Sequence, residues 1–355
     1  MLVVLHHACI TYGAPGGWYY SQKSSLTGAL VSMTLFVAVN QAFFMGFFFF
    51  LSALFIPSSY SKKGAANFIK DRLLRLGIPL IFYSFVLSPV LSYLVYRFAQ
   101  GHHITYWQYL GGFDSWVDFG VLWFVAALLL FTLAYALYRG FVKNQAKTYA
   151  LPSVKSILLV AAGVGVISFL VRIIFPVGWV LKPLGFQLGH FPQYIALFLF
   201  GLIASKSKWI NNAEYRTGKT MAIIALCLIF IGFPLFFVAR QALQFPTEWF
   251  SNGVHWQSAW YGVWEQLTGF AIITALLCIG KLRWNKPSPF LSKLSRCSFA
   301  VYIFHPLVLI ALSVALSSWE MEPGLKFLIV GPLAVVGSFL LGGLIVKIPG
   351  VNRII

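Results

Sequence analysis

The sequence predicts an all-α fold, a polytopic membrane helix bundle of about ten transmembrane helices in which the first is truncated. Of its 355 residues, 59% are hydrophobic and only 10% are charged. The mean hydropathy of +0.82 is far above that of ordinary soluble domains. Long apolar segments follow one another along the chain, with only short polar connections between them. We therefore expect residues 1–355 to form a single integral membrane domain.

Nine segments have the length that a membrane-spanning helix requires, about 20 predominantly apolar residues. They lie near residues 29–56, 76–98, 119–138, 153–175, 190–205, 220–240, 258–280, 297–317 and 325–347. A tenth segment, residues 1–12, is apolar and runs into the helix-breaking sequence GAPGG. About twelve residues cover less than two thirds of a hydrocarbon core of ~30 Å. We therefore expect a first helix that lacks its cytoplasmic half, through a late start codon or a truncation.

The basic residues predict the orientation of the bundle. Lys and Arg together number 26 against 8 Asp and Glu, a net charge of +18 that in a soluble protein would suggest nucleic-acid binding. Here 20 of the 26 lie in one alternate set of loops: Lys62, Lys63, Lys70, Arg72, Arg75, Arg139, Lys143, Lys147, Lys155, Lys206, Lys208, Arg216, Lys219, Lys281, Arg283, Lys286, Lys293, Arg296, Lys347 and Arg353. The other set holds Lys23, Arg97, Arg172, Lys182, Arg240 and Lys326. By the positive-inside rule, we expect a multi-pass plasma-membrane protein with both termini in the cytoplasm.

The four cysteines predict neither a disulfide framework nor a metal site. Cys9, Cys227, Cys278 and Cys297 show no CxxC or Cys/His spacing and fall mostly within apolar segments. A thiol in such a segment behaves as a small hydrophobic group.

Ionisable residues inside the predicted spans are candidates for chemistry, because charge is costly in hydrocarbon. His6 and His7 lie about 8–9 Å below the outer surface, and Glu265 lies about 10 Å below it. His305 lies about 13 Å from the inner surface, near the midplane. These depths predict that the side chains converge on one central cavity, where an imidazole is suited to proton or acyl transfer. Alternatively, each side chain only makes a hydrogen bond to a neighbouring helix.

The two adjacent histidines differ in direction. Consecutive residues are separated by about 100° around a helix axis. We therefore expect only one of His6 and His7 to face the interior of the bundle.

A basic amphipathic stretch, SKKGAANFIKDRLLRLGIP over residues 61–79, precedes the second full span. Arg72 and Arg75 are three residues apart and so share one helix face at the cytoplasmic mouth. A pair of guanidinium groups in this position is suited to binding phosphate or pyrophosphate. The same spacing is also compatible with anchoring to anionic lipid.

Three tryptophans form a stripe on another predicted helix. Trp256, Trp260 and Trp264 follow one another at intervals of four residues, which places their indoles on one face leading inward towards Glu265. Such a stripe can stack against sugar rings, or it can be an interfacial aromatic belt. The loop GAPGGWYY over residues 13–20 is expected to line the same outer mouth.

Taken in order, these residues make the chain resemble the acyltransferase-3 family of integral membrane acyltransferases. The resemblance extends over essentially the whole chain. It rests on LVVLHH at 2–7, FFFFLSALFIP at 47–57, KDRLLRLGIP at 70–79, LWFVAALLLF at 122–131 and SFAVYIFHPLVL at 298–309. The basic stretch is most similar to that of the glucan-biosynthesis-C-like branch. Two departures stand out: Ser52 is followed by Ala53 where the family has glycine, and the basic partner that the family places ten residues before its histidine would precede Met1.

The resemblance implies a membrane-embedded O-acyltransferase with no permanently bound cofactor. It implies that His7 is the catalytic histidine, that acyl-CoA donates from the cytoplasm with its phosphates at Arg72 and Arg75, and that the acceptor is a hydroxyl group of a sugar, glycan or similar molecule. His7 would either deprotonate this hydroxyl group or accept the acyl group transiently. Glu265 or His305 would set its tautomer. The alternative function is a proton-coupled secondary transporter or flippase for a polar metabolite, with His7, Glu265 and His305 as a relay.

Overall fold

The computed structural model describes residues 1–142, 147–351 and 354, and within them the chain folds into helices without any strand longer than an isolated bridge. The helices are α1 (Leu2–Thr11), α2 (Thr27–Lys63), α3 (Ala65–Ala99), α4 (Gly120–Phe141), α5 (Val154–Ile174), α6 (Leu188–Ser207), α7 (Tyr215–Leu243), α8 (Trp256–Trp284), α9 (Pro289–Ala315) and α10 (Pro323–Ile345). In this part of the chain, the nine helices from α2 to α10 are long and apolar enough to cross a membrane, whereas α1 has ten residues. The predicted polytopic helix bundle with a short first helix is confirmed.

The alternation of the helices gives the bundle two ends. One end carries residues 60–64, 208–214 and 281–288, and we call it the basic face. The other end carries residues 13–26, 100–119, 175–187, 244–255 and 316–322, and we call it the opposite face. Lys143 and Arg353, which contribute to the predicted orientation, lie outside the described residues.

The basic amphipathic stretch is helical almost from its start, which extends two predicted helices. α2 continues to Lys63, beyond the predicted end near residue 56, and α3 begins at Ala65 instead of near residue 76. Gly64 separates the two helices with a φ of +72°, a left-handed conformation that glycine adopts without a steric penalty. The helical propensity of the polar flank, which hydropathy does not measure, accounts for the difference.

Three prolines inside the spans follow wider helical turns. α3 contains π-helical turns at Leu73–Gly77 and Tyr83–Leu87, and α7 contains one at Leu228–Gly232. Each of these turns ends two residues before a proline, namely Pro79, Pro89 or Pro234. A proline has no N–H and its ring clashes with the carbonyl of residue i−4. The π-turn moves that carbonyl away, so the helices continue without a break.

α2 packs closely against α6 and α8 because glycines face it. A Cβ atom at Gly269 in α8 would collide with the carbonyl oxygen of Ala42, and one at Gly201 in α6 would collide with that of Phe50. Gln193 Nε2 of α6 donates to the same Ala42 carbonyl at 2.7 Å. Small residues and interhelical hydrogen bonds are the usual basis of helix association in a bilayer.

Residues 13–26 are held against the start of α10. Glu322 accepts hydrogen bonds from the Ser24 hydroxyl group and, at 2.9 Å, from the Ser25 backbone N–H. Lys326 Nζ donates to Gln22 Oε1 at 3.2 Å and to the Leu316 carbonyl at 3.1 Å. Lys326 is thus a buried helix residue and not the loop residue that the charge pattern suggests.

Candidate active site

A cavity of about 560 Å³ lies inside the bundle and reaches the opposite face. Its walls come from α1, α2, α4, α6, α7, α8 and α9 together with loop residues 15–17, 177–180 and 247–251. Val3 and Met45 line the end of the cavity that is deepest in the bundle. Polar side chains, including Gln41, Gln187 and Arg240, line the part of the cavity nearer the opposite face. A space of this size is in the range of small-molecule binding sites.

His7 lines this cavity and is joined to His305 of α9. The Nδ1 atom of His7 lies 2.9 Å from Nε2 of His305, and Nδ1 of His305 lies 2.9 Å from the carbonyl oxygen of Tyr302. A carbonyl oxygen only accepts hydrogen bonds, so His305 carries its hydrogen on Nδ1. Its Nε2 atom is then an acceptor for the Nδ1–H of His7. In the neutral pair, this order leaves the Nε2 atom of His7 unprotonated and available as a base.

Trp18 covers one face of the His7 ring. The two rings are nearly parallel, with centroids 4.0 Å apart, and the Trp18 ring is 6.2 Å from that of His305. Trp18 belongs to the loop that Glu322 and Lys326 hold in place. The sequence places this loop at the mouth but does not identify Trp18 as a partner of His7.

His6 lines the cavity as well, so the expectation that only one of the two histidines faces the interior is corrected. Its ring packs against Phe44 with centroids 5.2 Å apart, and its Nδ1 atom has no hydrogen-bond partner among the described residues. The cavity is wide enough to contact two directions on α1 about 100° apart. Both histidines therefore have access to the cavity. They differ in their contacts, because only His7 lies against His305 and Trp18.

Glu265 lies in a different cluster, away from His7. It forms an ion pair with Arg172 of α5, and its Oε1 atom is 3.3 Å from Nδ1 of His190 at the start of α6. Arg172 is fully buried in the last turn of its helix, although the charge pattern places it in a loop. The structure therefore brings His305 to His7 and does not bring Glu265 there.

The tryptophan stripe packs against α7 and is not part of the cavity wall. Trp264 Nε1 donates to the Leu228 carbonyl at 2.8 Å, and the Trp260 ring is 4.2 Å from that of Phe236. Trp256 is half exposed near the opposite face. Tyr261, one residue after Trp260 and about 100° around the helix, lines the cavity instead. On this helix Tyr261, and not the predicted tryptophan stripe, therefore faces the cavity.

Arg72 and Arg75 lie at the basic face and do not line the cavity. Arg75 Nε is paired with Asp71 at 3.1 Å, and Asp71 also contacts Lys63 at 2.8 Å. The guanidinium carbon of Arg72 lies 5.1 Å from the centre of the Phe68 ring, and its Nε has no hydrogen-bond partner among the described residues. The two arginines are thus close together but not equivalent.

Helices long and apolar enough to cross a membrane, arranged around a cavity that a hydrogen-bonded histidine pair borders, are the arrangement of an integral membrane protein with an internal binding site. The family is given by comparison with known proteins. A family model described as "Acyltransferase domain", that of the acyltransferase-3 family, matches residues 1–343. The chain belongs to this family, and it is an acyltransferase that transfers groups other than amino-acyl groups. No curated protein and no solved structure matches the chain.

Membership of this family also decides between the two predicted functions. The transporter alternative requires a relay through His7, Glu265 and His305. Because Glu265 pairs with Arg172 in a separate cluster, these three side chains do not form one continuous chain of hydrogen bonds.

Proposed function

We propose that the protein is an O-acyltransferase that moves an acyl group from a cytoplasmic acyl-CoA to a hydroxyl group of a sugar, glycan or similar acceptor. The observation that carries this proposal is the His7–His305–Tyr302 chain. It presents an unprotonated imidazole nitrogen to a cavity large enough for an organic acceptor.

The proposed reaction uses His7 Nε2 as the proton acceptor. As the acceptor oxygen attacks the thioester carbonyl carbon, its proton moves to His7, a C–O bond forms and the C–S bond breaks. The proton then passes from His7 to the leaving thiolate, which gives free CoA and an ester. In the covalent route, His7 Nε2 itself attacks the thioester carbonyl carbon, so that an N–C bond forms and the C–S bond breaks with release of the CoA thiolate. The hydroxyl oxygen then attacks the acyl carbon, a C–O bond forms, the C–N bond to His7 breaks, and the hydroxyl proton passes by way of the freed His7 to the thiolate. His305 supports either route, because its hydrogen bond stabilises a positive charge on His7.

The donor is proposed to bind at the basic face, which the positive-inside rule makes cytoplasmic. Arg72 and Arg75 supply charge-assisted hydrogen bonds for the phosphates of CoA. The distance from this face to the cavity is considerable: Tyr60, whose ring lies 5.4 Å from that of Phe68, is 15 residues after Met45 on α2, or about 22 Å. A donor with a long flexible arm between its phosphates and its thioester fits this separation.

The acceptor is proposed to enter from the opposite face, where the cavity reaches the loops. Aromatic rings and uncharged polar groups line it together, including Phe233, Phe236, Tyr261 and Gln41. Such a lining suits a carbohydrate, which presents apolar ring faces and many hydroxyl groups. The GAANFIKDRLLRL sequence over 64–76 supports the glucan-biosynthesis-C-like branch, and we propose the plasma membrane as the location of the protein.

A turnover assay with the protein reconstituted in phospholipid nanodiscs tests the proposal. We expect acceptor-dependent release of CoA from acetyl-CoA, and a decrease in rate of about 10²–10⁴-fold in His7→Ala, the usual contribution of a general base. Gel filtration and circular dichroism of the variant check that it folds. Unchanged turnover in a folded His7→Ala protein would contradict the proposed role.

A further inference from the structure

A second polar cluster borders the same cavity and has no hydrogen bond to His305. It consists of Arg172 from α5, His190 from the start of α6 and Glu265 from α8, all of them more than nine-tenths buried. Arg172 pairs with Glu265, and its Nε donates to the Gly189 carbonyl at 3.1 Å. Of the three, only His190 lines the cavity. The charges of Arg172 and Glu265 balance each other, so the cluster presents no net charge to a ligand.

The contacts of His190 determine which of its nitrogens carries hydrogen. Its Nδ1 atom lies 3.0 Å from the NH2 group of Arg172, which can only donate. Glu265 Oε1 is farther away, at 3.3 Å, and accepts no well-oriented hydrogen bond from the described residues. We assign Nδ1 as the acceptor from the shorter of these two contacts, and Nε2 of the neutral ring then carries the hydrogen. The cluster thus fixes His190 as a hydrogen-bond donor towards the cavity.

His190 and His7 line the cavity from different helices, α6 and α1, and each is near a different side chain of α2. The His190 ring is 6.4 Å from the Tyr194 ring, and Tyr194 Oη accepts a hydrogen bond from Gln41 of α2 at 3.1 Å. Phe44, one helical turn from Gln41, contacts His6. No hydrogen bond or ring contact joins His190 to His7 among the described residues, so a ligand whose reacting oxygen is at His7 would meet His190 with a second polar group.

We infer that His190 binds a second, uncharged oxygen of the acceptor by donating from Nε2, and that Arg172 and Glu265 are positioning residues that hold it in this tautomer. This inference rests on the proposed function and specifies its acceptor. The site selects a molecule with at least two separated oxygen groups, such as a sugar or another polyol, over a simple alcohol. An analogue without the second oxygen leaves the buried donor unpaired, which a polar site penalises strongly.

The first test measures the tautomer and ligand contact without any acyl donor. Solid-state ¹⁵N NMR of histidine-labelled protein in phospholipid bilayers, with His190→Gln to assign the signals, should show His190 protonated on Nε2 and not on Nδ1. Octyl β-glucoside should shift the Nε2 signal, whereas 1-octanol at the same concentration should not. An Nδ1–H tautomer, or equal responses to the two probes, would overturn the inference.

The second test separates acceptor binding from chemistry. With acetyl-CoA as donor and octyl β-glucoside as acceptor, His190→Gln should raise the KM for the glucoside by about 3- to 10-fold, the loss expected for one neutral hydrogen bond, with a smaller change in kcat. Arg172→Lys, which keeps the charge, should give a mixed tautomer and an intermediate KM. His255→Gln is the matched control, because His255 stacks on Trp249 outside the cavity wall. A KM for the glucoside that stays unchanged in His190→Gln would overturn the inference, whereas retained transfer in His7→Ala would refute only the proposed function.

Discussion

At the scale of single residues, the proposed chemistry depends on which nitrogen of His7 is free. Tyr302 is one turn before His305 on α9, and its carbonyl determines the tautomer of His305, which in turn determines that of His7. His6 is at nearly the same depth and also lines the cavity, yet it has no such partner. Orientation by hydrogen bonding, and not burial, distinguishes the two histidines.

His305→Ala should therefore lower kcat by about 10²-fold or more while leaving the KM values for donor and acceptor nearly unchanged, because it removes the group that orients His7. His6→Ala is the matched control and should retain a readily measurable rate. Steady-state kinetics of both variants in nanodiscs provides the comparison. If His6→Ala is the more damaged variant, the assignment moves to His6.

The two arginines of the basic face differ in their contacts, and this difference can be measured. Arg72→Ala should weaken acyl-CoA binding by about 1.5–3 kcal/mol, as expected for a lost hydrogen bond to a charged group. Arg75→Ala should have a smaller effect, since Arg75 is already paired with Asp71. Both losses should shrink at high salt.

Isothermal titration of acyl-CoA into each variant measures these changes. Arg97→Ala is the control, because Arg97 lies on the same helix at the opposite face, where it donates to the His102 carbonyl at 3.0 Å. Equal affinity in all three proteins would instead support the role of the arginines as anchors to anionic lipid.

Part of the site can be predicted from the sequence at this scale. The rule that ionisable groups inside spans are candidates for function selects His7, Glu265 and His305, and depth arithmetic predicts that they lie at similar levels. Depth does not give the direction around a helix axis, so it pairs Glu265 with the wrong cluster. An arginine within the apolar run VISFLVRIIF over 166–175, at the level of a glutamate in another span, is the signal that predicts the Arg172–Glu265 pair.

At the scale of elements, the loop over residues 13–26 connects the candidate site to the start of α10. Hydrogen bonds from Ser24 and the Ser25 backbone lower the pKa of Glu322, although partial burial opposes this shift. Glu322 is therefore ionised at neutral pH, where it acts as the cap of α10 and the anchor of the loop. The stabilisation of this contact is present above the usual carboxyl pKa and is lost as the pH falls through the lowered value.

Glu322→Gln should loosen this loop, because an amide accepts these hydrogen bonds more weakly than a carboxylate does. We expect faster backbone hydrogen exchange in peptides covering 13–26, measured by mass spectrometry, and a reduced rate of acyl transfer because Trp18 leaves His7. Glu320→Gln is the control, a neighbouring carboxylate with no hydrogen bond to the loop among the described residues. If exchange in 13–26 is the same in the two variants, Glu322 does not hold the loop.

The close packing of α8 against α2 leads to a second prediction at the scale of elements. Gly269→Ala should destabilise the protein by about 1–3 kcal/mol, since its Cβ would meet the backbone carbonyl of Ala42 and the helices would have to separate. Gly163→Ala in α5 is the control, because nothing lies within 4 Å of its Cβ position. Thermal unfolding in nanodiscs should show a lower Tm for Gly269→Ala alone. Equal Tm values would mean that α2 and α8 are not in close contact.

At the scale of the whole molecule, hydropathy predicts the number and order of the helices, because each span must bury its own backbone polar groups. Their ends are less well predicted. α3 begins eleven residues before the predicted apolar segment does, and it continues past Pro79 and Pro89 through π-turns that hydropathy does not predict. The cavity is not predictable in this way, since its shape depends on how seven helices and three loops meet.

Orientation in the membrane is the last property of the whole molecule that follows from charge. The positive-inside rule places the basic face in the cytoplasm. In that orientation, Arg72 and Arg75 face cytoplasmic acyl-CoA, and the cavity opens towards the non-cytoplasmic side.

Single cysteines at Asn212 on the basic face and Ser115 on the opposite face test this orientation, because both residues are exposed in loops. The four native cysteines interfere little, since Cys9, Cys278 and Cys297 are buried and Cys227 lies within a span. In right-side-out vesicles, a membrane-impermeant maleimide should label Ser115→Cys at once and label Asn212→Cys only after detergent is added. The reverse labelling pattern would mean that the protein has the opposite orientation in the membrane. The proposed donor and acceptor would then have to approach from the opposite sides.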